Sequence, residues 1–495
     1  MIRFFVSILL MVMTAVMMAS TGKWRSSVTG SSLDYTVSAP MGTAAQDANG
    51  KAMTIVYLEN LGFSKTGQNS NADDVAWLLG EGYQVIEIDY GHHAKAVSPT
   101  LNADIIAINS SLQGGSFCGR TCSPSRSYIL MEGWRIRRDI PYYHDDPKVY
   151  NYPDSYKNSE GDWLYLDLVY PANPSAHVPV VITFSYSTSW ANSKHQRMYL
   201  PYFWGSFKDS FVEGSSAVGF AWAICDHPKY CDWGQGKYTG GANKSLGAIE
   251  VNPDAAHKVK SAIRTVRGVG KELGLNGEVA VTGFSRGATA AALAVGDGYL
   301  EAYEDASRGC YAEESSQVQC ALLGSGMFDY EHALQSSTEY TNMKKFVEAN
   351  PACPWTMQGA LATIETSASA PTLFFHNTDD YYKDNKKNSQ GLYATQASLM
   401  KAKLDAVGTP TEILSGYSSG HAVPQTAATL QVMYDFLTTH IGGSTDTRID
   451  HAIINHVQPT ASDGTYNMMG IRVGEAYKGL VIRSGRKVVV GSRRY

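Results

Sequence analysis

Between Trp134 and Ile441 short β-rich apolar runs alternate with longer segments of helical periodicity, and that alternation leaves few architectures open. Trp134 to Tyr142, Trp163 to Val169, Pro179 to Phe184 and Ala217 to Ile224 read as strands. A long helix is expected over Asp254 to Leu273, because Ala255, Val259, Ile263, Val266 and Val269 recur every three or four residues and Pro253-Asp254 suits a helix start. Glu278 to Thr282 is β-rich and leads into a small-residue helix over Gly287 to Val295. Further strands are expected at Ala321 to Leu323, Thr372 to Phe375 and Thr411 to Leu414. A last helix runs from about Gln425 to Ile441, with Val432, Met433, Phe436 and Leu437 on one face. Strands this apolar, separated by helices, predict a mostly parallel sheet flanked by helices on both sides.

Two further segments lie outside this block. Thr54 to Glu59, Asp73 to Gly80 and Tyr83 to Asp89 read as strand, helix and strand, a small α/β unit closed by the Gly-, Ser- and Cys-rich stretch Gln113 to Ser127. After Ile441 the composition turns to linker, and Lys478 to Val490 reads as a hairpin turning at Ser484-Gly485. The expected organisation is therefore a leader over 1–20, an N-terminal α/β unit with its linker over 21–127, a main domain over 128–442, and a linker with a short β tail over 443–495.

Gly283-Phe-Ser285-Arg-Gly287 sits between the strand ending at Thr282 and an Ala-rich helix, so it is a G-x-S-x-G pattern in a strand–turn–helix context. Such a turn strains the serine backbone, and side chains two residues before and after it would collide. It also places the serine at a helix N-terminus, where backbone N–H groups favour developing negative charge. A serine of ordinary pKa needs a base and an orienting acid. His421, in Ser418-Ser-Gly-His421-Ala-Val-Pro, follows the strand at Thr411 and precedes the last helix. Asp379 and Asp380 follow the strand at Thr372, and Asp329 follows the one before it. Each loop falls beyond the carboxyl end of a strand, where sheets of this kind place their sites.

On these residues the chain from Trp134 to Ile441 resembles the esterase/lipase branch of the α/β-hydrolase superfamily. Leu164 to Pro171 followed by Pro179 to Phe184 resembles its second and third strands. His376-Asn-Thr-Asp-Asp380 resembles its H-G-x-x-D segment and favours Asp380 over Asp379 as the acid, with Asp329 a third candidate. The resemblance implies an α/β-hydrolase fold and a serine hydrolase that cleaves carboxylic esters, with Ser285 as nucleophile, His421 as base, Asp380 as acid and no cofactor. Where the branch carries H-G-G-G, this chain has Ser185-Tyr186-Ser-Thr-Ser189-Trp190, so the oxyanion hole is expected from the N–H groups of Arg286 and Tyr186. Arg286 after the nucleophile is similar to glucuronoyl methylesterases, but their flanking cysteine and lysine are missing, and that substrate is not implied. A polysaccharide acetyl or feruloyl ester is the expected substrate; a peptidase of the same fold and a non-catalytic glycan-binding protein are the alternatives.

Composition narrows the rest. With 44% hydrophobic residues, 18% charged residues and a net charge of −5, the 495-residue chain can bury a large core and offers no basic surface for nucleic acid. Arg3 followed by the apolar run Phe4 to Met18 and small residues at Ala19 to Thr21 reads as a secretory signal, too short for a stable membrane span. A secreted or periplasmic address is expected. The end of the chain, from Tyr466 to Val489, resembles C-terminal sorting extensions and implies contact with secretion machinery. The seven cysteines suggest three local disulfides, Cys118–Cys122, Cys225–Cys231 and Cys310–Cys320, with Cys353 free. Zinc at Cys118 and Cys122 is the competing reading. Asp89-Tyr-Gly-His92-His93 and His144-Asp-Asp146 lack a metal-ligand spacing, so no metal site is expected.

Overall fold

The computed structural model describes residues 20–26, 30–46, 52–59, 71–90, parts of 104–121, 128–131, 134–145, 162–171, 178–184, 220–228, 254–298, 309–349, 357–424 apart from 388, and 426–441; in the tail it describes 465–467, 479–483 and 486–490. The expected leader lies outside them except for Ser20, which begins the first strand.

The N-terminal part forms a five-stranded sheet. Its strands are β1 (Ser20–Arg25), β2 (Ser32–Ser38), β3 (Thr54–Glu59), β4 (Gln84–Asp89) and β7 (Tyr128–Met131), in the order β1-β2-β4-β3-β7. β3, α1 (Asn71–Gly80) and β4 are the strand–helix–strand piece legible in the sequence, with β3 and β4 parallel. β7 joins this sheet by pairing with β3, so Tyr128 to Met131 belong to the N-terminal sheet. Between β4 and β7 lies a small ribbon of β5 (Ser116–Phe117) and β6 (Arg120–Thr121).

The larger sheet has eight strands. β8 (Trp134–Asp145) and β9 (Asp162–Pro171) are long and antiparallel. β10 (Val180–Phe184), β12 (Val279–Phe284), β13 (Cys320–Gly324), β14 (Thr372–Phe375) and β17 (Thr411–Leu414) run parallel, and β11 (Ala221–Cys225) is parallel to β10. The order is β17-β14-β13-β12-β10-β11-β9-β8, with β9 antiparallel to both neighbours. This exchange of β10 and β11, with a single antiparallel strand near one edge, is the α/β-hydrolase fold.

Alternation along each central strand explains why the sheet is apolar throughout. In β12, Ala280 and Phe284 join one core cluster while Val279 and Val281 join the other; in β13, Leu322 and Leu323 divide in the same way. On one face lie α2 (Asp254–Glu272), α3 (Arg286–Ala292) and α5 (Gln396–Val407), contributing Val259, Ile263, Ala291 and Met400. On the other lies α6 (Ala427–Ile441), with Met433, Phe436 and Leu437 inward. Leu78 of α1 and Ile86 and Ile88 of β4 belong to that same cluster, so the N-terminal unit and α6 together shield this face. α4 (Thr338–Ala349) and a ribbon of β15 (Lys383–Lys387) and β16 (Tyr393–Thr395) complete the elements of this part.

The tail forms a three-stranded antiparallel sheet of β18 (Thr465–Asn467), β19 (Gly479–Arg483) and β20 (Arg486–Val490). β19 and β20 are the hairpin legible in the sequence; β18 is an addition to it. No helix among the described residues is long and apolar enough to cross a membrane.

The expected disulfides are corrected: Cys118, Cys225, Cys310 and Cys320 are free thiols. For Cys310 and Cys320 the reason is topological. Cys320 opens β13 and packs into the cluster shared with α6, whereas Gly309, next to Cys310, bridges to Tyr143 and lies against Ser261 of α2 on the other face. Burial pushes the Cys320 thiol well above its ordinary range, which makes it inert as well as inaccessible. Cys122, Cys231 and Cys353 lie outside the described residues.

Candidate active site

Parallel strands β12, β14 and β17 end at one edge of the sheet, and the loops leaving them carry Ser285, Asp380 and His421. At the first loop β12 passes into α3 in a single residue. Ser285 holds φ 56° and ψ −124°, a left-handed conformation that an L residue adopts at a cost. The turn is fixed from both sides: the Ser285 N–H donates to the Gly324 carbonyl at 2.8 Å, and the Ser285 carbonyl accepts from Ala288 and Thr289 at 3.0 and 3.1 Å. Gly283 is required by the close return of the helix. A Cβ there would lie 2.2 Å from the Gly287 carbonyl carbon and 2.5 Å from the Ala288 nitrogen. Arg286 is the first residue of α3, which starts one residue earlier than its sequence suggests. Tyr186, expected to share the oxyanion hole with it, lies outside the described residues.

The second and third loops are built as one piece. His421 Nδ1 lies 3.0 Å from Asp380 Oδ2. An ionised carboxylate only accepts, so Nδ1 carries the proton and Nε2 is left as the basic nitrogen. Asp380 is fully buried and its other oxygen accepts the Tyr382 N–H at 2.9 Å. Burial pushes this carboxyl up, but the bond from His421, the neighbouring His376 and the Tyr382 N–H outweigh it and hold it below its usual range.

The two other acid candidates have different partners. Asp379 is turned to the surface, where it accepts the Ser419 hydroxyl at 2.9 Å and the Gly420 N–H at 2.8 Å, pinning the stretch just before His421. Asp329 accepts the His332 N–H at 3.0 Å and faces that imidazole at 3.2 Å, while Gln396 receives the Phe328 and Asp329 N–H groups. Asp380 is thus the candidate that reaches His421.

Several residues that support this arrangement give little signal in the sequence. Asn377, 1% exposed, accepts the Gly416 N–H at 3.2 Å and donates to the Gly420 carbonyl at 3.1 Å, tying the acid loop to both ends of the histidine loop. Three aromatic rings enclose His421: Phe284 at 4.6 Å between centroids, Tyr381 at 4.4 Å and Tyr382 at 5.5 Å. Phe284 is the residue before Ser285, so this contact brings the serine turn and the histidine together. His144, one of the histidines considered as a metal ligand, sits edge-on to Trp163 at 5.1 Å, and His92 and His93 lie outside the described residues.

No known protein family and no curated protein matches the chain. Solved structures similar to it include a truncated form of a carbohydrate esterase from gut microbiota, at 16% identity and a TM-score of 0.41 over 62% of this chain and 97% of that one. Another is an esterase of the planctomycete Thermogutta terrifontis bound to propionate, at 20% identity and 0.38 over 56% of this chain and 90% of that one. The same organism's esterase 2 phosphoramylated by tabun matches at 17% and 0.38, over 62% and 94%. The fold of the present chain rests on its own strand order and crossovers.

Proposed function

We infer that the chain is a serine hydrolase that cleaves carboxylic esters through an acyl-enzyme. The observation that carries this reading is the 3.0 Å contact of buried Asp380 with His421, on a loop packed by Phe284 against a serine strained at the end of β12. In this reading Ser285 Oγ attacks the ester carbonyl carbon as His421 Nε2 takes its proton. The carbonyl π electrons move onto oxygen, and the N–H groups of Arg286 and Tyr186 stabilise that oxyanion. Collapse breaks the bond to the alkoxy oxygen, which leaves as the alcohol with the proton from His421. Water, deprotonated by His421, then attacks the acyl carbon; the bond to Ser285 Oγ breaks, Oγ takes the proton back from His421, and the carboxylic acid is released. Asp380 stays ionised throughout and pairs with the imidazolium whenever it forms. The substrate class proposed is an acetyl or feruloyl ester on a polysaccharide, met outside the cell after export.

The test is hydrolysis of p-nitrophenyl acetate by the full chain beside Ser285→Ala, with a fluorophosphonate label read by peptide mass. Turnover lost in the variant, with the label on Ser285, supports the reading. Equal rates in both proteins would remove Ser285 from the chemistry.

A further inference from the structure

Asp380 faces two imidazoles. His421 occupies Oδ2; His376, which follows β14 directly, places Nε2 3.8 Å from Oδ1. The His376 side chain is completely buried, and neither ring nitrogen makes a hydrogen bond of full geometry among the described residues, the Tyr382 backbone being the smallest influence on it. A buried polar atom left without a partner destabilises a fold, and an apolar ring in the same place would not. Packing therefore does not account for a histidine here.

The groups around it suggest what does. Asp380, Lys383, His421 and the Tyr382 backbone act on His376, and burial is the strongest influence, pulling its pKa down to about 4. At neutral pH the ring is an uncharged dipole rather than a second cation competing with His421 for the carboxylate. Oδ1 is held by the Tyr382 N–H, and the His376 ring closes its remaining side against water. A dry carboxylate beside a neutral N–H dipole interacts with its single charged partner more strongly than a hydrated one.

We propose that His376 is a positioning residue: its neutral imidazole, buried behind Asp380, holds the carboxylate on His421 while His421 shuttles the proton. This rests on the hydrolase reading above. It does not touch the substrate, so its loss should lower kcat and leave KM nearly unchanged.

The test compares His376→Phe and His376→Gln in the full chain, with p-nitrophenyl acetate turnover and thermal midpoint as readouts. Phe fills the space without a donor, whereas Gln carries an N–H to about the position of Nε2. His376→Phe should lose roughly tenfold to a hundredfold in kcat, as expected for a catalytic group displaced by up to about 1 Å. Its KM should stay within about twofold and its midpoint should hold or rise. His376→Gln should recover most of that rate. A purely structural histidine gives the opposite order, with Phe at least as active as Gln, and that result overturns the proposal. Equal losses of rate and thermal midpoint in both variants, pointing to a packing role, overturn it too. A rate that persists in Ser285→Ala fails separately, since it removes the hydrolase reading and not merely the part played by His376.

Discussion

Replacing Gly283 with alanine is the sharpest test of how the serine turn is built. The added Cβ would stand 2.2 Å from the Gly287 carbonyl carbon, 2.3 Å from its oxygen and 2.5 Å from the Ala288 nitrogen. These are backbone atoms, so no side chain can rotate out of the way. To regain an ordinary carbon–carbon separation, the start of α3 must retreat from β12 by roughly 1 Å. That retreat works against the Ser285 N–H bond to Gly324 and the packing of Ala288, Ala290 and Ala291 in a helix buried from Gly287 onward. Overpacking of this kind costs about 1–3 kcal/mol. The same shift displaces Ser285 relative to His421, and a misplacement of about 1 Å lowers kcat on the order of a hundredfold. Urea unfolding followed by intrinsic tryptophan fluorescence reads the first effect; p-nitrophenyl acetate hydrolysis at saturating substrate reads the second. A Gly283→Ala protein with wild-type stability and turnover would refute the geometry of this turn and the reason for its glycine.

Asp380→Asn should lower kcat by about 10⁴ with little change in KM, because the amide favours the wrong imidazole tautomer. Asp379→Asn, by contrast, loosens only the Ser419–Gly420 anchor and should cost a severalfold loss; steady-state kinetics separates the two. Lys258 of α2 is completely buried and pairs with Asp254 at 2.7 Å, so Asp254→Asn weakens a buried charge pair and should cost about 1–3 kcal/mol in urea unfolding. The depressed His376 pKa predicts an acid weakness of the fold. The unfolded histidine takes a proton near its ordinary value of about 6.5, while the folded one resists until about 4, so stability is full above the first value and lost as pH falls toward the second. Thermal midpoints between pH 7 and pH 4 should fall less steeply in His376→Phe than in the wild type.

The larger sheet was legible because its central strands are buried on both faces and read as unbroken apolar runs; Thr372–Phe375 falls where the sequence puts it, and so does the partly exposed edge strand Thr411–Leu414. The elements that escaped have no such signature. β1, Ser-Thr-Gly-Lys-Trp-Arg, alternates between half-buried and exposed positions, and β15, Lys-Asp-Asn-Lys-Lys, is a polar ribbon. In α5 the buried apolar residues Ala397, Met400 and Leu404 are spread among more exposed residues such as Ser398 and Lys403. At the candidate site, chain order points to Ser285 and His421, and motif resemblance to Asp380. The separation of Asp380 from Asp379 becomes visible only in the turn, where the Asp380 N–H donates to the Asn377 carbonyl and neighbouring carboxylates face opposite ways. Asn377 was hidden for a related reason: its partners Gly416 and Gly420 lie on a loop some forty residues away in sequence. The Cys310–Cys320 pairing failed because closeness along the chain says nothing about which side of a sheet each thiol occupies.

The interior shared by the two sheets bears on how this protein can be cut. Ile86 and Ile88 of the N-terminal sheet lie in the same solvent-excluded cluster as Val181, Leu322 and Leu373 of the larger one, and α6 covers only part of that face. A fragment begun at Trp134 would carry Ser285, Asp380 and His421 yet offer water a broad oily flank, and such flanks find one another. The N-terminal sheet thus behaves as a lid on the larger one rather than a passenger beside it. Warming should melt both sheets in a single event, and a catalytic piece freed from its N-terminal partner should collect in the pellet.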